Sequence, residues 1–270
     1  IHFPHSLGLL YSAFTYFIGF KVNGGEYKLM GLAPYGNPIY EKIILEKLID
    51  VKEDGSFRIN QEYFDYATGL TMTNKKFNKL FGCEPRNPQL EKINKLHMDI
   101  AASIQKVTED ILLKIVRNLY SEFKIPNLCL AGGVALNCVA NGKILKEKIF
   151  KSIWIQPAAG DAGGSLGAAM AYWFNELGND RSNTEDIMEC SYLGPEYSNE
   201  DIEKILKIIG ANFKYLEKEE LLNFTINKLE EGSAIGWFQG KMEFGPRALG
   251  GRSILGDARS SVMQKKLNLK

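Results

Sequence analysis

The sequence predicts an α/β protein organised in two units, and three observations lead to that prediction. In residues 127–137 and again in residues 153–174, a short apolar segment runs into a glycine-rich turn that leads into an apolar helical segment. That strand, turn and helix pattern is typical of α/β proteins. Further along, helical and strand-like segments alternate in a smaller unit, after a polar, acidic stretch typical of a linker. We therefore predict a first domain at 1–174, a linker at 175–191 and a second domain at 192–270.

Composition and charge limit the kind of protein this is. The 270 residues are 45% hydrophobic and 24% charged, as in globular proteins, and the net charge of +1 favours neither nucleic acid nor membranes as partners. No apolar run is long enough to cross a bilayer, and no signal peptide opens the chain. We expect a cytoplasmic protein. Because the chain opens with isoleucine and stops within a helical pattern, we also expect it to be a piece of a longer protein.

The first domain is expected to be mainly helical before its first strand. Apolar residues in 6–20 indicate a buried helix, residues 39–48 an amphipathic helix, and residues 91–123 a long amphipathic helix with apolar side chains at helical spacing. Residues 50–88 combine polar turns with short strand-like segments, so we predict an insertion that lines a substrate pocket.

The second domain is predicted from the alternation of helical and strand patterns along the chain. Residues 198–209 and 219–231 have helical patterns, and residues 212–216 and 234–238 have strand patterns. That order indicates a small α/β unit.

The two glycine-rich turns are the first candidate site. Glycines such as Gly132, Gly133, Gly163 and Gly164 permit positive φ and let a ligand lie against bare main chain. The alternative is that they only allow helices to pack closely on a sheet. Neither turn is a Walker loop or a G-x-G-x-x-G fingerprint. We predict that the two turns converge on one nucleotide.

A charged pair near the amino terminus is the second candidate. Glu26 and Lys28 lie among glycines and apolar residues in 24–36. A solvated surface pair is one interpretation. A crevice in which Glu26 accepts hydrogen bonds from hydroxyl groups and Lys28 donates to phosphate or ribose oxygens is the other.

The third candidate is the loop at 240–253. Its two arginines, Arg247 and Arg252, stand among glycines, a proline and apolar residues. Guanidinium groups bind phosphate and carboxylate in a bidentate manner, so the pattern favours an oxyanion clamp over a solvated basic loop.

Four motifs together resemble a known family. They are Gly25-Glu26-Tyr27-Lys28 through Gly36, Ala131-Gly132-Gly133-Val134-Ala135-Leu136-Asn137, Gly160-Asp161-Ala162-Gly163-Gly164, and Glu243-Phe244-Gly245-Pro246-Arg247-Ala248-Leu249-Gly250 with Arg252-Ser253. In this order, and across essentially the whole chain, they resemble the nodulation-type and antibiotic-type O-carbamoyltransferases. The resemblance implies part of an actin-like ATPase (ribonuclease H-like) domain, followed by part of a smaller α/β domain that forms carbamoyl adenylate.

The resemblance also implies chemistry. The second domain would activate carbamoyl phosphate with ATP, releasing pyrophosphate, and the first would transfer the carbamoyl group to a hydroxyl of a sugar or other small acceptor. Positions matching the carbamoyl phosphate loop are Arg247 and Arg252, with Lys241 where arginine is expected more often. The expected nucleotide contacts are Glu26, Lys28, Gly132, Gly133, Asn137, Gly163 and Gly164.

Asp161 matches the family's metal-binding aspartate, with iron as the expected ion. The histidine-rich metal motif and an early phosphate-binding turn of such enzymes are absent from this sequence. One carboxylate holds a cation poorly, so we expect weak metal binding and partial competence at best.

Two other functions stay open at this point. An actin-like small-molecule kinase would share the glycine turns but would not need the arginine loop. A non-catalytic nucleotide-binding module would bind ATP without turnover. The acceptor and the oligomeric state have no signal in the sequence.

Overall fold

The computed structural model describes residues 2–181 and 188–268, so part of the predicted linker, 182–187, lies outside the described residues. It is a mixed α/β structure with several helices and two-stranded sheets, which confirms the α/β class, while the actin-like assignment stays a prediction. The chain divides into two compact units, Ile1–Gln156 and Pro157–Lys270. This division precedes the predicted linker, and the assignment of functional domains stays a prediction.

The first unit opens with three short helical segments. α1 (Leu7–Phe17) begins where the side chain of Ser6 accepts a hydrogen bond from the main chain of Leu9 at 3.2 Å. α2 (Glu26–Leu32) runs into a 3₁₀ turn at Ala33–Tyr35, and α3 (Glu41–Ile43) continues as a π-helical turn to Leu48. The helices predicted at 6–20 and 39–48 are confirmed.

The insertion contains the short strands predicted for it. β1 (Ile49–Val51) pairs with β2 (Phe57–Ile59) in an antiparallel hairpin that places Asp50 opposite Arg58. α4 (Lys75–Phe81) follows.

One long helix organises the first unit. α5 (Lys95–Phe123) begins at a capping box in which Asn94 and His97 each accept from the main chain of the other, four residues later than the predicted start. Burial, followed by the nearby Arg86 charge, holds the pKa of His97 below its ordinary value. The apolar face of α5 packs into a core whose largest fully buried side chains include Phe14, Phe17, Phe77, Leu10, Ile18, Leu29 and Ile100.

A parallel βαβ segment follows α5. β3 (Asn127–Leu130) pairs in parallel with β4 (Ser152–Ile155), and α6 (Cys138–Glu147) connects them. Leu128 of β3 packs in a small cluster with Val116 of α5 and Ile144 of α6.

The second unit contains α7 (Gly163–Ala171), α8 (Asn199–Ile208), α9 (Lys218–Glu230), the antiparallel strands β5 (Ile235–Phe238) and β6 (Arg252–Leu255), and α10 (Met263–Asn268). The predicted helices at 198–209 and 219–231 are confirmed.

The strand predicted at 212–216 is wrong, because residues 211–217 have no regular secondary structure. A strand exists only with a pairing partner, and the partner of β5 is β6, whose first two residues, Arg252 and Ser253, lie in the predicted arginine loop. Across the described residues of both units, none of the helices is long and apolar enough to pass through a bilayer.

Candidate functional site

The first glycine turn lies at the carboxyl end of β3. Gly132 has a φ of +93°, which side chains rarely adopt, and a 3₁₀ turn at Gly133–Leu136 leads from it into α6. Gly133 has no such backbone requirement, and no atom beyond its own stretch of chain lies within 4 Å of the point where its Cβ would stand. Packing within the protein therefore does not require glycine at this position, and the main chain there is open.

Asn137 ends this turn with its side chain directed into the protein. It is 8% exposed. Its Oδ1 accepts from the main chain of Ala140 at 3.1 Å and from Nε2 of Gln105 at 3.1 Å, while its Nδ2 donates to Oε1 of Gln105 at 3.0 Å. The structure thus shows a helix cap and an internal anchor. A nucleotide contact by Asn137 stays a prediction.

Gln105 is a site residue that sequence reasoning missed. It is 4% exposed on α5, and it also accepts from the hydroxyl of Tyr11 at 2.8 Å and donates to Oε1 of Glu109 at 2.8 Å. Glu109 in turn forms an ion pair with Lys143 of α6. A glutamine beside a lysine on a long helix is typical of a solvated face, so the sequence carries no signal for this buried network.

The structure places Glu26 at the start of α2. Its carboxylate accepts from the hydroxyl of Ser12 at 2.8 Å and from the main chain of Asn23 at 2.9 Å and of Gly25 at 3.2 Å. Burial raises the pKa of Glu26, but these hydrogen bonds outweigh it and hold the pKa below its ordinary value. Lys28 lies exposed two residues further along the same helix. Their contacts with nucleotide stay predictions.

The second glycine turn lies in the second unit. Gly163 is the first residue of α7 and lies against the main-chain carbonyl of Ala158, so close packing accounts for it. Gly164 has no atom within 4 Å of its Cβ position. Because the two glycine turns belong to different compact units, their convergence on one nucleotide stays a prediction.

Asp161 precedes this turn and is exposed. Within residues 2–181 and 188–268, no group of three or more histidine, cysteine, aspartate or glutamate side chains is placed to hold a metal ion. Iron requires several such ligands, so the described residues do not by themselves fit an iron site. Metal binding by Asp161 stays a prediction.

The arginine loop is built around a buried carboxylate, Glu243, for which the sequence pattern predicts no role. Glu243 is 6% exposed. Its Oε1 accepts from the main-chain N–H groups of Leu249 at 2.8 Å and Gly251 at 2.7 Å, and its Oε2 accepts from that of Arg252 at 3.1 Å. One side chain thus fixes the path of the loop from 243 to 252.

These hydrogen bonds decide the charge state of Glu243. Burial alone raises the pKa of the carboxyl group, but the main-chain donors outweigh it and lower the pKa to about 2. The side chain is therefore a carboxylate at neutral pH.

The guanidinium of Arg252 holds the same loop from its other side. It stacks on Phe238 with 3.4 Å between its central carbon and the ring centroid. Its Nη1 donates to the carbonyl oxygens of Gly240 at 3.1 Å and Gly251 at 2.8 Å, and its Nη2 donates to that of Pro195 at 3.3 Å.

The remaining predicted loop residues differ in exposure. Arg247 is half-buried in the loop, and Lys241 is exposed at its start. A direct role of the three cationic residues toward an anion stays a prediction.

An open polar cleft of about 630 Å³ lies beside the β1–β2 hairpin in the first unit. Both signs of charge and two amide side chains line it: His5, Leu45, Glu46, Lys47, Ile49, Asp50, Arg58, Ile59, Asn60 and Gln61. Nδ1 of His5 accepts from the main chain of Ile59 at 3.1 Å, which fixes the ring against the hairpin.

Comparison with known proteins relates the chain to one family. The family model described as carbamoyltransferase N-terminus matches residues 1–170, and the one described as carbamoyltransferase C-terminus matches residues 226–270. An uncharacterized protein of Synechocystis sp. is 59% identical over 100% of this chain and 44% of its own length.

Two nodulation proteins are also similar. Nodulation protein NolNO of Sinorhizobium fredii is 37% identical over 98% of the chain and 37% of its own length. Nodulation protein NolO of Bradyrhizobium diazoefficiens is 33% identical over 99% of the chain and 46% of its own length. The chain therefore spans less than half the length of each of these three relatives.

Proposed function

The chain belongs to the carbamoyltransferase family, and from that premise we propose that it takes part in ATP-dependent O-carbamoyl transfer to a small hydroxyl-bearing acceptor. Family membership implies a carbamoyl donor and an acceptor. We take the donor to be carbamoyl phosphate. Water cleaves it to carbamate and phosphate, and a carbamate oxygen then attacks the α-phosphorus of ATP and displaces pyrophosphate. The acceptor hydroxyl attacks the carbonyl carbon of the resulting carbamoyl adenylate and displaces AMP.

The observation that carries the proposal is the bare main chain at Gly133. A turn at the carboxyl end of a parallel strand is where α/β proteins bind nucleotides, and Gly133 is a glycine that no contact within the protein requires. We assign this turn to a nucleotide phosphate, with main-chain N–H groups as donors.

The arginine loop is assigned to the carbamoyl donor. Because the guanidinium of Arg252 is engaged with main-chain carbonyl oxygens, we assign it the role of fixing the loop. Arg247 and Lys241, the other two cationic residues that the family resemblance places in this loop, are assigned to the donor's anionic oxygens.

The polar cleft beside the hairpin is assigned to the acceptor. Amide and charged side chains of opposite sign there, such as Asn60, Arg58 and Asp50, match the hydrogen-bonding groups of a sugar or a similar polyhydroxylated metabolite. No step is assigned to a metal ion, because the described residues do not complete an iron site.

The test is a pyrophosphate-release assay on the purified protein with ATP and labelled carbamoyl phosphate, with and without candidate sugars. We expect pyrophosphate release that requires carbamoyl phosphate, and labelled carbamoyl ester when an acceptor is present. Arg247→Ala should abolish pyrophosphate release and leave binding of a fluorescent ATP analogue unchanged. The matched control is Arg259→Ala, which removes an exposed arginine of the same unit outside the loop.

Two results would contradict the proposal. ATP-dependent phosphorylation of an acceptor without carbamoyl phosphate would favour the kinase. Tight ATP binding without pyrophosphate release under any condition would favour the non-catalytic module.

A further inference from the structure

We propose that Gln105 is a positioning residue for the glycine turn, and that with Asn137 it holds Gly132–Leu136 in the conformation that receives the nucleotide. The inference rests on the proposed function of that turn. It also reassigns Asn137, from a group that touches the ligand to one that acts through the main chain.

The amide of Gln105 is fully used. An amide side chain has two N–H donors and two acceptor lone pairs. Its Oε1 accepts from Tyr11 and Asn137, and its Nε2 donates to Glu109 and Asn137. A buried polar side chain with every hydrogen bond made has one stable orientation.

Asn137 transmits that orientation to the turn. Its own main-chain N–H donates to the carbonyl of Val134 at 2.9 Å, and its side chain caps α6 through Ala140. Four residues on, Nδ2 of Asn141 donates to the carbonyl of Ala135 at 2.7 Å. A shift of Asn137 would therefore move both the turn before it and the helix after it.

The other end of the linkage is rigid. Gln105 follows Ile104 on α5, and Ile104 is fully buried in the main core. Side chains packed at crystal-like density do not shift freely. The Gln105 and Asn137 pair therefore connects the turn to the main hydrophobic core of the unit.

Direct ligand contact by Asn137 is the competing interpretation, and the geometry opposes it. Its oxygen accepts two hydrogen bonds, its nitrogen is directed at Gln105, and the side chain is 8% exposed. A helix cap alone would also not require Gln105, since serine, aspartate and asparagine all cap helices without a second amide.

The experiment uses variants that separate the helix cap formed by Asn137 from its amide hydrogen bonds with Gln105. Gln105→Met keeps the side-chain length and removes its polar atoms. Asn137→Ser keeps a good helix cap and removes the amide pair. The double variant tests their coupling. Ile100→Val, a core substitution on the same helix, is the stability control. Binding of a fluorescent ATP analogue, thermal unfolding and hydrogen exchange at residues 133–136 are measured for each.

We expect Gln105→Met and Asn137→Ser each to weaken nucleotide binding by about tenfold, and the double variant to be no weaker than either, because both break one shared contact. Hydrogen exchange in the turn should accelerate in all three. Ile100→Val should lower the unfolding temperature without changing nucleotide affinity.

Three results would overturn the inference. Normal binding by Gln105→Met beside weak binding by Asn137→Ser would mean that Asn137 touches the ligand. A loss of nucleotide affinity in the double variant equal to the product of the two single losses would mean that the residues act independently. Unchanged hydrogen exchange at residues 133–136 in Gln105→Met would mean that the pair does not hold the turn. If the unsubstituted protein binds no nucleotide, the proposed function fails. The hydrogen-exchange rates of Gln105→Met still decide whether the pair holds the turn.

Discussion

The glycine turn of the first unit and the arginine loop of the second are held by opposite means. Neutral amides anchor the glycine turn to a helix whose other face is buried in a large hydrophobic core. A single carboxylate, Glu243, holds the arginine loop by collecting main-chain N–H groups. The glycine turn is therefore held by a side-chain pair that links it to another helix, whereas the arginine loop is held by a carboxylate of its own, with further hydrogen bonds to residues 191–195.

The buried hydrophobic side chains of the two units show a similar contrast. Among the described residues of the second unit, the buried hydrophobic side chains are Ala158, Ala159 and Met263, whereas the first unit buries phenylalanine, leucine and isoleucine. With little apolar burial nearby, the conformation of the arginine loop depends on its hydrogen bonds. Removing charges should disturb the arginine loop strongly and the glycine turn weakly.

The largest effect is expected from Glu243→Ala. It leaves three main-chain donors without their acceptor, so we expect formation of carbamoyl adenylate to fall by about a hundredfold or more. Nucleotide binding at the glycine turn should not change. The control is Glu220→Ala, which removes an exposed glutamate of α9. Pyrophosphate release and ATP-analogue binding measure the two sites, and an equal loss at both would contradict the comparison.

Lowering the pH should reproduce part of the effect of Glu243→Ala. The pKa of Glu243 is lowered to about 2 in the folded protein, against an ordinary value of 4.5. Because the folded pKa is the lower one, the carboxylate stabilises the loop above pH 4.5, and that stabilisation is lost as the pH falls from 4.5 towards 2.

Nuclear magnetic resonance of the Leu249 and Gly251 amides across this range should report the loss. The Ala140 amide, whose acceptor is the neutral side chain of Asn137, should not follow the same titration. Glu243→Gln should abolish the titration at the loop, and a titration that persists in that variant would assign it to another group.

Gly133→Ala should give a smaller, local effect at the glycine turn. No atom stands near the new methyl group, so we expect the free energy of unfolding to change by less than about 0.5 kcal/mol. Nucleotide binding should weaken by about tenfold, because the methyl group occupies space that we assign to the phosphate. The matched control is Gly142→Ala in α6, also with open space, which should stabilise the helix by about 0.5–1 kcal/mol. Equal nucleotide affinity in both variants would mean that the nucleotide does not bind at this turn.

The smallest effect is expected from Arg252→Lys. Lysine keeps the charge but loses the planar group that stacks on Phe238 and reaches several carbonyl oxygens. We expect the KM for carbamoyl phosphate to rise by about threefold to fivefold with little change in kcat. Arg259→Lys serves as control. Complete loss of activity with an unchanged loop structure would instead mean that Arg252 binds the anion, as the sequence pattern predicted.

Hydrophobic periodicity made much of the fold predictable. α1, α5, α8 and α9 lie within or close to the predicted ranges, because their apolar residues recur at helical spacing. The hairpin in the insertion and the strand, turn and helix around Gly132 were also predictable from local turn chemistry. The pairing of β5 with β6 was not, and the strand predicted at 212–216 is wrong, since pairing between distant segments decides which apolar run becomes a strand.

The positions of the candidate sites were predictable from the sequence, but the hydrogen bonds that hold them were not. The glycine turn and the arginine loop were found by residue type, yet the residues that hold them, Gln105 and Glu243, have no local signal. Each acts through partners far along the chain or through main-chain atoms, which a linear pattern does not contain. For the same reason the inward orientation of Asn137 and the stacking of Arg252 became visible only in three dimensions.

The length of α5 has a consequence for how this protein can change over evolutionary time. At 29 residues the helix is roughly 43 Å long, and it carries Gln105 near its middle and contacts Gly55, at the tip of the hairpin, through Ile115. Under the proposed function, mutations along the hairpin would change the cleft assigned to the acceptor while leaving Gln105 and its contacts with the glycine turn in place. New acceptor specificities would then be accessible one substitution at a time.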